Sequence, residues 1–316
     1  MDATMVNVDN FVRAETDRMF AATQNEAGGP NRFMHNREPA QVDNQPVIRM
    51  NRDTLYSFAI VDLAAGARLT VPDGGSRYVS VMVVNNEHHI NRILHEAGEY
   101  ELTEQEHGSR YVAVVARVLV DPADPADVAA VAALQDQFVL EAGSSEPFVP
   151  GGWDNKSLDA TRDHLLGLAA GMTSFEHSFG RREEVDPVHH LISTAAGWGG
   201  LPDSEASYVG VFPGLPVGRY ELTVGEVPVD GFWSISVYNA AGYFEPNEQG
   251  HYSVNDITAT RGDDGTVTVR FGGCEEGAEN CIPIPEGWNY LVRLYRPRPE
   301  ALDGSWHFPS LAAHHA

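Results

Sequence analysis

The stretch Pro46-Val-Ile-Arg-Met-Asn-Arg-Asp-Thr-Leu-Tyr-Ser-Phe58 places a polar cluster directly before a strand-like run of apolar residues. If residues 55–63 form a strand, its two-residue period sends Asn51 and Asp53 to one face of the sheet and Arg52 to the other. The cluster can therefore act as one patch only if the chain turns within it. The alternative is structural, with Asp53 capping a turn and Arg52 in an internal ion pair.

Length and composition bound the class of protein. A chain of 316 residues suggests two domains or one large one, and 42% hydrophobic residues with 30 Gly and 19 Pro are typical of a strand-rich, loop-rich chain. The net charge of −24 argues against nucleic acid and against an anionic membrane as partners, because such a surface repels phosphate. An anionic ligand would need a local cluster of arginines.

Several chemistries are excluded or lowered in rank by missing residues. Lys156 is the one lysine and has no Gly-rich loop beside it, which argues against pyridoxal phosphate and against a phosphate-loop nucleotide site. The sequence contains neither GxSxG nor HExxH, and Gly197-Trp-Gly-Gly is not a dinucleotide fingerprint. Serine hydrolase, zincin and dinucleotide oxidoreductase are therefore disfavoured.

The two cysteines, Cys274 and Cys281, can close a small disulfide or remain as thiols. No CxxC motif is present, which argues against a zinc knuckle or an iron–sulfur cluster. The N-terminus lacks the pattern of a signal peptide, and no apolar run is long enough to span a membrane. We therefore expect a cytoplasmic protein with no membrane partner, with reduced cysteines that serve structure rather than catalysis.

Periodicity predicts an α+β protein that is mainly β, with two antiparallel β-sandwich or open-barrel-like domains and a helical segment between them. The predicted domains are 1–120, 121–200 and 201–316. The predicted strands are 55–63, 67–71, 77–85, 110–120, 208–212, 218–224, 231–238, 266–271 and 288–295. The predicted helices are 9–23, 126–142, 157–172 with Ser157 as a cap, and 188–196 with Asp186 as a cap.

The two halves of the chain share a pattern of strands. Tyr-Ser-Phe-Ala-Ile, Leu-Thr-Val and a run ending in Asn85 parallel Tyr-Val-Gly-Val-Phe, Leu-Thr-Val and a run ending in Asn239. In this comparison Ser80 also matches Ser234. The pattern predicts a duplicated fold core with Asn85 and Asn239 at equivalent strand ends, and the alternative is a coincidence of short strand patterns.

Five longer motifs resemble a bacterial family. They are the opening stretch through Ser57, Ala195-Ala-Gly-Trp-Gly-Gly, Val229-Asp-Gly-Phe-Trp-Ser-Ile-Ser-Val-Tyr-Asn, Gly242-Tyr-Phe-Glu-Pro-Asn and Leu294-Tyr-Arg-Pro-Arg-Pro-Glu-Ala-Leu-Asp-Gly-Ser-Trp. Together they look like the proteins of unknown function that join domain family 1254, N-terminal, to domain family 1214, C-terminal. The resemblance covers nearly the whole chain and implies a β-rich two-domain fold with a helical insert. It brings no established catalytic residues, and many of these relatives resemble exported proteins.

Histidine and carboxylate side chains supply candidate metal ligands. Six of the 13 histidines form adjacent pairs, and the pair at 314–315 lies in the terminal tail and is set aside. Glu87 precedes His88 and His89, and His189 lies in the first turn of a helix, where the dipole favours a neutral ring. Mixed ligation of this kind suits a divalent metal ion that activates water. The alternative places these histidines at the surface or in turns.

Aromatic and amide side chains form a second candidate site. The members are Trp198, Trp233, Tyr238, Asn239, Tyr243, Asn247 and Trp288. The expected ligand-binding residues are Asn51, Tyr56, Trp198, Trp233, Asn239 and Tyr243. Rings beside amides suit a polyol or sugar-like ligand, which needs one flat face and several hydrogen bonds. The alternative is that the rings in strands are core.

Polar residues collect at the ends of regular elements in every region of the chain, which predicts one shared pocket. Its expected catalytic residues are Arg52 as an anion clamp, Asp53 beside it, His88 or His89 as base or ligand, and Glu245 as acid–base partner. Two functions stay open: a metal-assisted hydrolase acting on a small polar molecule, and a non-catalytic binding protein for a polyol or sugar-like ligand. A homo-oligomer is also left open.

Overall fold

The computed structural model describes residues 3–45, 48–172, 174–275 and 277–313. Pro46 and Val47 of the opening stretch and the pair at 314–315 lie outside these ranges. By contact the chain divides into two units. Unit 1 draws on residues 1–36, 56–118 and 131–203, and unit 2 draws on 37–55, 119–130 and 204–316. The linear domain boundaries at 120 and 200 remain a prediction.

Runs of strands are interspersed with a few helices along the described residues. Up to residue 200 they are α1 (Phe11–Glu26), β1 (Met34–His35), β2 (Thr54–Asp62), β3 (Ala67–Val71), β4 (Val79–Asn85), β5 (Ile90–Leu94), β6 (Gly98–Leu102), α2 (Glu104–His107), β7 (Tyr111–Leu119), α3 (Pro125–Gln135), β8 (Val139–Ala142), α4 (Asn155–Ala169) and α5 (Pro187–Gly197). After it they are β9 (Ala206–Val211), β10 (Tyr220–Val224), β11 (Trp233–Tyr238), β12 (Ser253–Asn255), β13 (Val267–Phe271), β14 (Cys281–Ile282), β15 (Asn289–Tyr295), α6 (Pro299–Leu302) and β16 (Ala312–Ala313). The predicted class, α+β and mainly β with antiparallel sheets, is confirmed.

In unit 1 the described strands form two sheets, in the orders β1-β2-β7-β4-β5 and β6-β3-β8. Strand β4 is buried along its whole length, which explains its unbroken apolar sequence. The three long helices of the unit pack on one another through a small apolar cluster that includes Phe11, Leu165 and Ile192. None of the helices in the described ranges is long and apolar enough to span a membrane.

In unit 2 the described strands also form two sheets, in the orders β12-β11-β15-β9 and β14-β13-β10-β16. One cluster of buried residues draws on both sheets and includes Ile235, Val292, Val269 and Leu222, so the sheets pack face to face as a sandwich. Pairing is antiparallel except where β14 joins β13 in parallel.

Two helix predictions need correction. The helix predicted over 126–142 ends at Gln135, and residues 139–142 form β8, which pairs with β3 through Leu140 and Leu69. Cross-strand pairing there outweighs the weak preference of the local sequence for helix. Helix α4 is capped by Asp154, whose side chain accepts the backbone N–H of Ser157, so Ser157 is not the cap. The cap at Asp186 is confirmed.

The predicted duplication is confirmed by strand order. The sequence of neighbours β2-β7-β4-β5 in unit 1 corresponds to β9-β15-β11-β12 in unit 2, and β6-β3-β8 corresponds to β13-β10-β16. Registers agree as well: Ser80 pairs with Arg117 across β4 and β7, and Ser234 pairs with Arg293 across β11 and β15. Each unit therefore buries an arginine opposite a serine, at corresponding positions of two equivalent sheets.

The turns that follow β4 and β11 are also equivalent. The side-chain oxygen of Asn85 accepts the backbone N–H groups of residues 87 and 89, each at 2.9 Å. That of Asn239 accepts the N–H groups of residues 241 and 243 at 3.1 and 3.0 Å. The fourth residue of each turn has a positive φ, 59° at His88 and 90° at Gly242. A histidine therefore occupies a backbone conformation that its counterpart fills with glycine.

Candidate functional site

The polar cluster of the opening stretch precedes β2 and belongs to unit 2. The strand begins at Thr54, and Arg49 has a φ of 54°, so the chain turns before the sheet starts. The alternation expected for a strand therefore does not apply to residues 49–53. The side chain of Asn51 donates to the hydroxyl of Tyr295 at 3.0 Å, which ties this turn to β15.

A buried arginine of unit 2 organises the turn. Arg293 is almost fully buried, and its guanidinium nitrogens donate to four oxygens at 2.7–3.2 Å. These oxygens belong to the hydroxyls of Ser236 and Tyr238 and the backbone carbonyls of Arg49 and Met50. The β-sheet arginine thus holds the turn in place through charge-assisted hydrogen bonds.

Asp53 is the counter-ion of this arginine. Its carboxylate is completely buried, with Oδ2 3.9 Å from Nη1 of Arg293, and Oδ1 accepts a hydrogen bond from Asn255 at 3.3 Å. Although burial opposes it, the neighbouring Tyr238, Tyr295 and Asp53 raise the pKa of Arg293, which stays charged. The structure therefore gives Asp53 a structural role and no access to a substrate. The pair expected between Arg52 and Asp53 is replaced by the pair of Asp53 with Arg293.

Arg52 is placed differently. Its guanidinium stacks on the ring of Tyr252, 5.1 Å from the centroid, and Nη1 donates to the backbone carbonyl of Ala40. Burial lowers the pKa of Arg52, while Tyr252 and Asp53 act in the opposite direction. Among the described residues it forms no ion pair. A guanidinium that is partly removed from water and not neutralised attracts an anion.

Arg52 faces a cleft of about 240 Å³ in unit 2. The other residues that line it come from the start of the 121–130 segment, from the loop before β12 and from the wall beside β14. They are Asp121, Pro122, Ala123, Gly250, His251, Tyr252, Ser253, Val254, Thr258, Asn280 and Cys281. Typical pockets for drug-sized ligands are about 300–1,000 Å³, so this cleft suits a smaller molecule.

One wall of the cleft is held rigidly. Asn280 has a φ of 51° and exchanges two side-chain hydrogen bonds with the backbone of Thr260, at 2.7 and 2.8 Å. Cys281 beside it is bonded to Cys274. The expectation of reduced cysteines is therefore wrong for this structure. The disulfide closes the loop that leads into β14, and Cys281 itself lines the cleft.

The remaining predicted residues of unit 2 lie away from the cleft lining. Asn239 closes the turn after β11, and its side-chain amide donates to the exposed Glu245 at 2.9 Å. Tyr243 forms the end of that turn. Trp233 is 2% exposed and belongs to the sandwich core, so the alternative interpretation of this ring is the correct one. Glu245 is not among the residues that line the cleft at Arg52.

The predicted histidines lie in unit 1. His88 is fully buried, and its ring stacks on Trp198 with centroids 5.1 Å apart. Its Nε2 accepts the backbone N–H of Gly199 at 2.9 Å, and Nδ1 lies 2.9 Å from the hydroxyl of Thr194. Thr194 in turn donates to a helix carbonyl. This chain of hydrogen bonds requires the proton on Nδ1, so both nitrogens are occupied.

The environment keeps His88 neutral. Burial, reinforced by His190 and His89, lowers its pKa far below the usual range. A neutral ring with its one lone pair already engaged has nothing left for a metal or a substrate proton. The structure therefore gives His88 a positioning role, in which it anchors the Gly-rich segment after α5 to the turn after β4.

The other candidate ligands are dispersed or engaged. Glu87 pairs with Arg13 at 2.8 Å, and His189 lies 2.8 Å from the carbonyl of Glu176 through Nδ1. His89 stacks on His190 at 5.0 Å, and burial lowers its pKa to about 4. Within the described ranges no group of three His, Cys, Asp or Glu side chains is arranged to hold a metal ion. The set predicted from Glu87, His88 and His189 is not assembled.

The last two predicted ligand-binding rings also lie in unit 1. Tyr56 lies under the guanidinium of Arg117 at 5.3 Å, and Arg117 donates to the carbonyl of Gly199 at 2.7 Å. Trp198 is covered by His88 and donates to the hydroxyl of Thr16 at 3.2 Å. These rings serve packing of the Gly-rich segment. Because the histidines and Arg52 belong to different units, the single shared pocket stays a prediction.

Sequence reasoning missed four residues that matter here. Arg117 and Arg293 interrupt apolar strands, and a charge in the middle of such a run is a signal for a buried, bonded arginine. Asp121 follows β7 after Val120 and shows the same strand-end pattern that identified other polar residues. Tyr252 carried no signal, because its partner Arg52 is distant in sequence.

The two β-rich units repeat one strand order, and in each unit a buried arginine of the sheet holds a segment that lies outside the sheet. These features define a duplicated β-sandwich protein. The chain belongs to the family that joins two domains described as proteins of unknown function, DUF1254 at residues 30–142 and DUF1214 at 216–299. The resemblance found in the sequence motifs is thereby confirmed.

Two solved structures share the fold. The VPA0106 protein from Vibrio parahaemolyticus is 18% identical, with a TM-score of 0.73 and 98% of each chain covered. An uncharacterised protein from Burkholderia cenocepacia is 15% identical, with a TM-score of 0.50, 92% of this chain covered and 84% of that one. No curated protein matched the chain. At these identities the likeness concerns the fold alone.

Proposed function

We propose that this chain is a binding protein for a small polar molecule that carries a carboxylate, held in the cleft of unit 2 by Arg52. The observation that supports it is the guanidinium of Arg52, stacked on Tyr252, partly buried and without an ion pair among the described residues. Fixed, partly desolvated cations of this kind bind carboxylates through two parallel hydrogen bonds. The surrounding net charge of −24 makes a local cation necessary for any anionic ligand.

The lining adds groups that suit a polar ligand. Ser253 supplies a hydroxyl, His251 a ring and Tyr252 an aromatic face. A volume of about 240 Å³ favours a small hydroxylated carboxylate over a polymer or a nucleotide. The proposal thus retains the polar, sugar-like ligand expected from the sequence and adds an anionic group to it.

The metal-assisted hydrolase has no comparable observation in its favour. Its expected ligands Glu87 and His88 are engaged by Arg13, Gly199 and Thr194. A divalent metal ion therefore stays an expectation from the sequence. The cleft is formed by one chain, so binding does not require the homo-oligomer that the sequence left open.

The location of the protein is also a proposal. A cytoplasmic location would keep the two cysteines reduced, whereas the bond between Cys274 and Cys281 favours a compartment in which disulfides persist. Counting free thiols in the protein isolated from its native cells decides between the two.

The test compares ligands and variants by isothermal titration and thermal shift. Glycerate and gluconate should stabilise the wild type, and glycerol and glucitol, their neutral counterparts, should bind at least tenfold more weakly. Arg52→Gln should lose at least tenfold in carboxylate affinity, because a charge-assisted hydrogen bond contributes about 1.5–3 kcal/mol. Arg219→Gln is the matched control, since Arg219 is exposed and lies outside the cleft.

Two results contradict the proposal. One is equal binding of the carboxylates and the neutral polyols. The other is a folded Arg52→Gln variant that binds carboxylates as the wild type does. Stabilisation by a divalent ion alone, with turnover of an ester or amide substrate, would favour the hydrolase instead.

A further inference from the structure

The cleft of unit 2 carries a second charge. Asp121 lines it together with Arg52, and neither side chain forms an ion pair among the described residues. We infer that the ligand is a small zwitterion, with its carboxylate at Arg52 and a cationic amino group at Asp121. This inference rests on the proposed function and names the chemical class of its ligand.

Asp121 is fixed in position by its own surroundings. Its Oδ1 accepts the backbone N–H of Ala123 at 2.9 Å, and its backbone N–H donates to Asp127 at 2.7 Å. One carboxylate oxygen, Oδ2, makes no hydrogen bond within the described residues. The carboxylate of Asp121 is therefore held in place at the cleft, and its Oδ2 can accept a hydrogen bond from a ligand.

Other polar side chains of the cleft lining already form hydrogen bonds within the protein. Asn280 is bonded to the backbone of Thr260, and the hydroxyl of Thr258 accepts from and donates to the backbone of Asn255. The fixed charges that remain for a ligand are those of Arg52 and Asp121. A ligand that complements both has one negative and one positive end.

Selectivity follows from the same pair of charges. A simple carboxylate would satisfy Arg52 but would bring a second negative charge near Asp121, and a simple amine would meet Arg52 in the same unfavourable way. An amino acid satisfies both sites and adds no net charge to the cleft. Because the cleft is small, the two groups of the ligand are separated by few bonds.

The experiment measures affinity for three zwitterions that differ in spacing: glycine, 3-aminopropanoate and 4-aminobutanoate. Acetate, propanoate and butanoate are the matched carboxylates, and methylamine, ethylamine and propylamine are the matched amines. Titrations use the full chain at one ionic strength. We expect one amino acid to bind at least tenfold more tightly than its matched carboxylate and its matched amine.

Variants assign the two ends of the ligand. Asp121→Asn keeps an oxygen for the N–H of Ala123 and should abolish the preference for the amino acid while leaving carboxylate affinity equal or higher. Arg52→Gln should weaken both the amino acid and the carboxylate. Asp263→Asn is the charge-matched control, because Asp263 is exposed and lies outside the cleft. Circular dichroism verifies that each variant is folded.

The outcomes separate the two proposals. If carboxylates bind the wild type as tightly as amino acids do, the zwitterion is refuted and the carboxylate site stands, whatever the folding of the Asp121 variant. If amines bind as tightly as amino acids and Arg52→Gln has no effect, the carboxylate site itself is refuted. If no compound binds the wild type, both proposals fall.

Discussion

The buried pair of Asp53 and Arg293 offers a sharp test of the structural role assigned to the polar cluster. Their closest charged atoms are 3.9 Å apart, and both side chains are excluded from water. With an effective dielectric constant of about 20, this attraction amounts to about 4 kcal/mol. Asp53→Asn removes it but also removes the cost of burying a carboxylate, so we expect a loss of about 2 kcal/mol in the free energy of unfolding.

Substituting the other partner, Arg293, should lower the free energy of unfolding by more. Arg293→Met leaves the Asp53 charge buried without a cation and deprives Ser236 and Tyr238 of their donor, for which we expect about 3–5 kcal/mol. Equilibrium unfolding in urea of the wild type, the two single variants and the double variant yields the coupling energy. We expect a coupling of about 1–3 kcal/mol.

The control pair is Asp256 and Arg261, which lie 2.6 Å apart at the surface of the same unit. An exposed pair contributes about 0.2–1 kcal/mol, so its coupling should be smaller. A coupling near zero for Asp53 and Arg293, or a stability of Asp53→Asn equal to that of the wild type, would refute the counter-ion role.

Three further predictions concern the free energy of unfolding. Stability should fall as the pH drops from 6.5 to about 4, because the unfolded chain binds a proton that His89 does not bind when folded, and His89→Gln should reduce this slope. Gly242→Ala should cost about 1–2 kcal/mol in unfolding free energy, since φ is 90° and the new Cβ would lie 3.2 Å from the Cβ of Ile48. Replacing Cys274 and Cys281 by Ser should cost about 2 kcal/mol in unfolding free energy and leave carboxylate affinity within a few-fold.

Each of these has its own control. His307→Gln removes an exposed histidine and is the matched control for His89→Gln. Gly265→Ala isolates the backbone effect, because φ there is 79° and a Cβ would meet nothing within 4 Å. A slope unaffected by His89→Gln, equal costs at the two glycines, or two free thiols in the denatured wild type would contradict the respective predictions.

Much of the fold could be predicted from the sequence because it depends on local patterns. The apolar alternation of the strands and the Asp-Pro start of α5 are short-range signals, and they located the nine predicted strands and α5 within two residues. The duplication could be recognised because each unit has an asparagine at the end of its central strand. Asn85 and Asn239 each accept the backbone N–H groups of the second and fourth residues that follow them. The β8 strand was missed because its pairing with β3 is a tertiary effect.

The roles of the site residues could be predicted from the sequence less completely than the fold, for a physical reason. Residue type identified Arg52, Asp53 and His88 as candidate functional residues, but their roles depend on burial and on partners far away in sequence. Asp53 is neutralised by Arg293, 240 positions later, and His88 is engaged by the segment after α5. Arg52 differs because its partner is the ring of Tyr252, which leaves the positive charge uncompensated.

The duplication also explains why the longest family motifs are mainly structural. In each unit a buried arginine in the sheet donates to the backbone of a glycine-rich or turn segment: Arg117 to Gly199, and Arg293 to Arg49 and Met50. These segments cannot satisfy their carbonyls within a regular element, so the arginine supplies the donor. The motif residues are therefore fixed by hydrogen bonding within the fold, and the proposed function assigns ligand binding to a group that this network does not neutralise. In the cleft of unit 2 that group is Arg52.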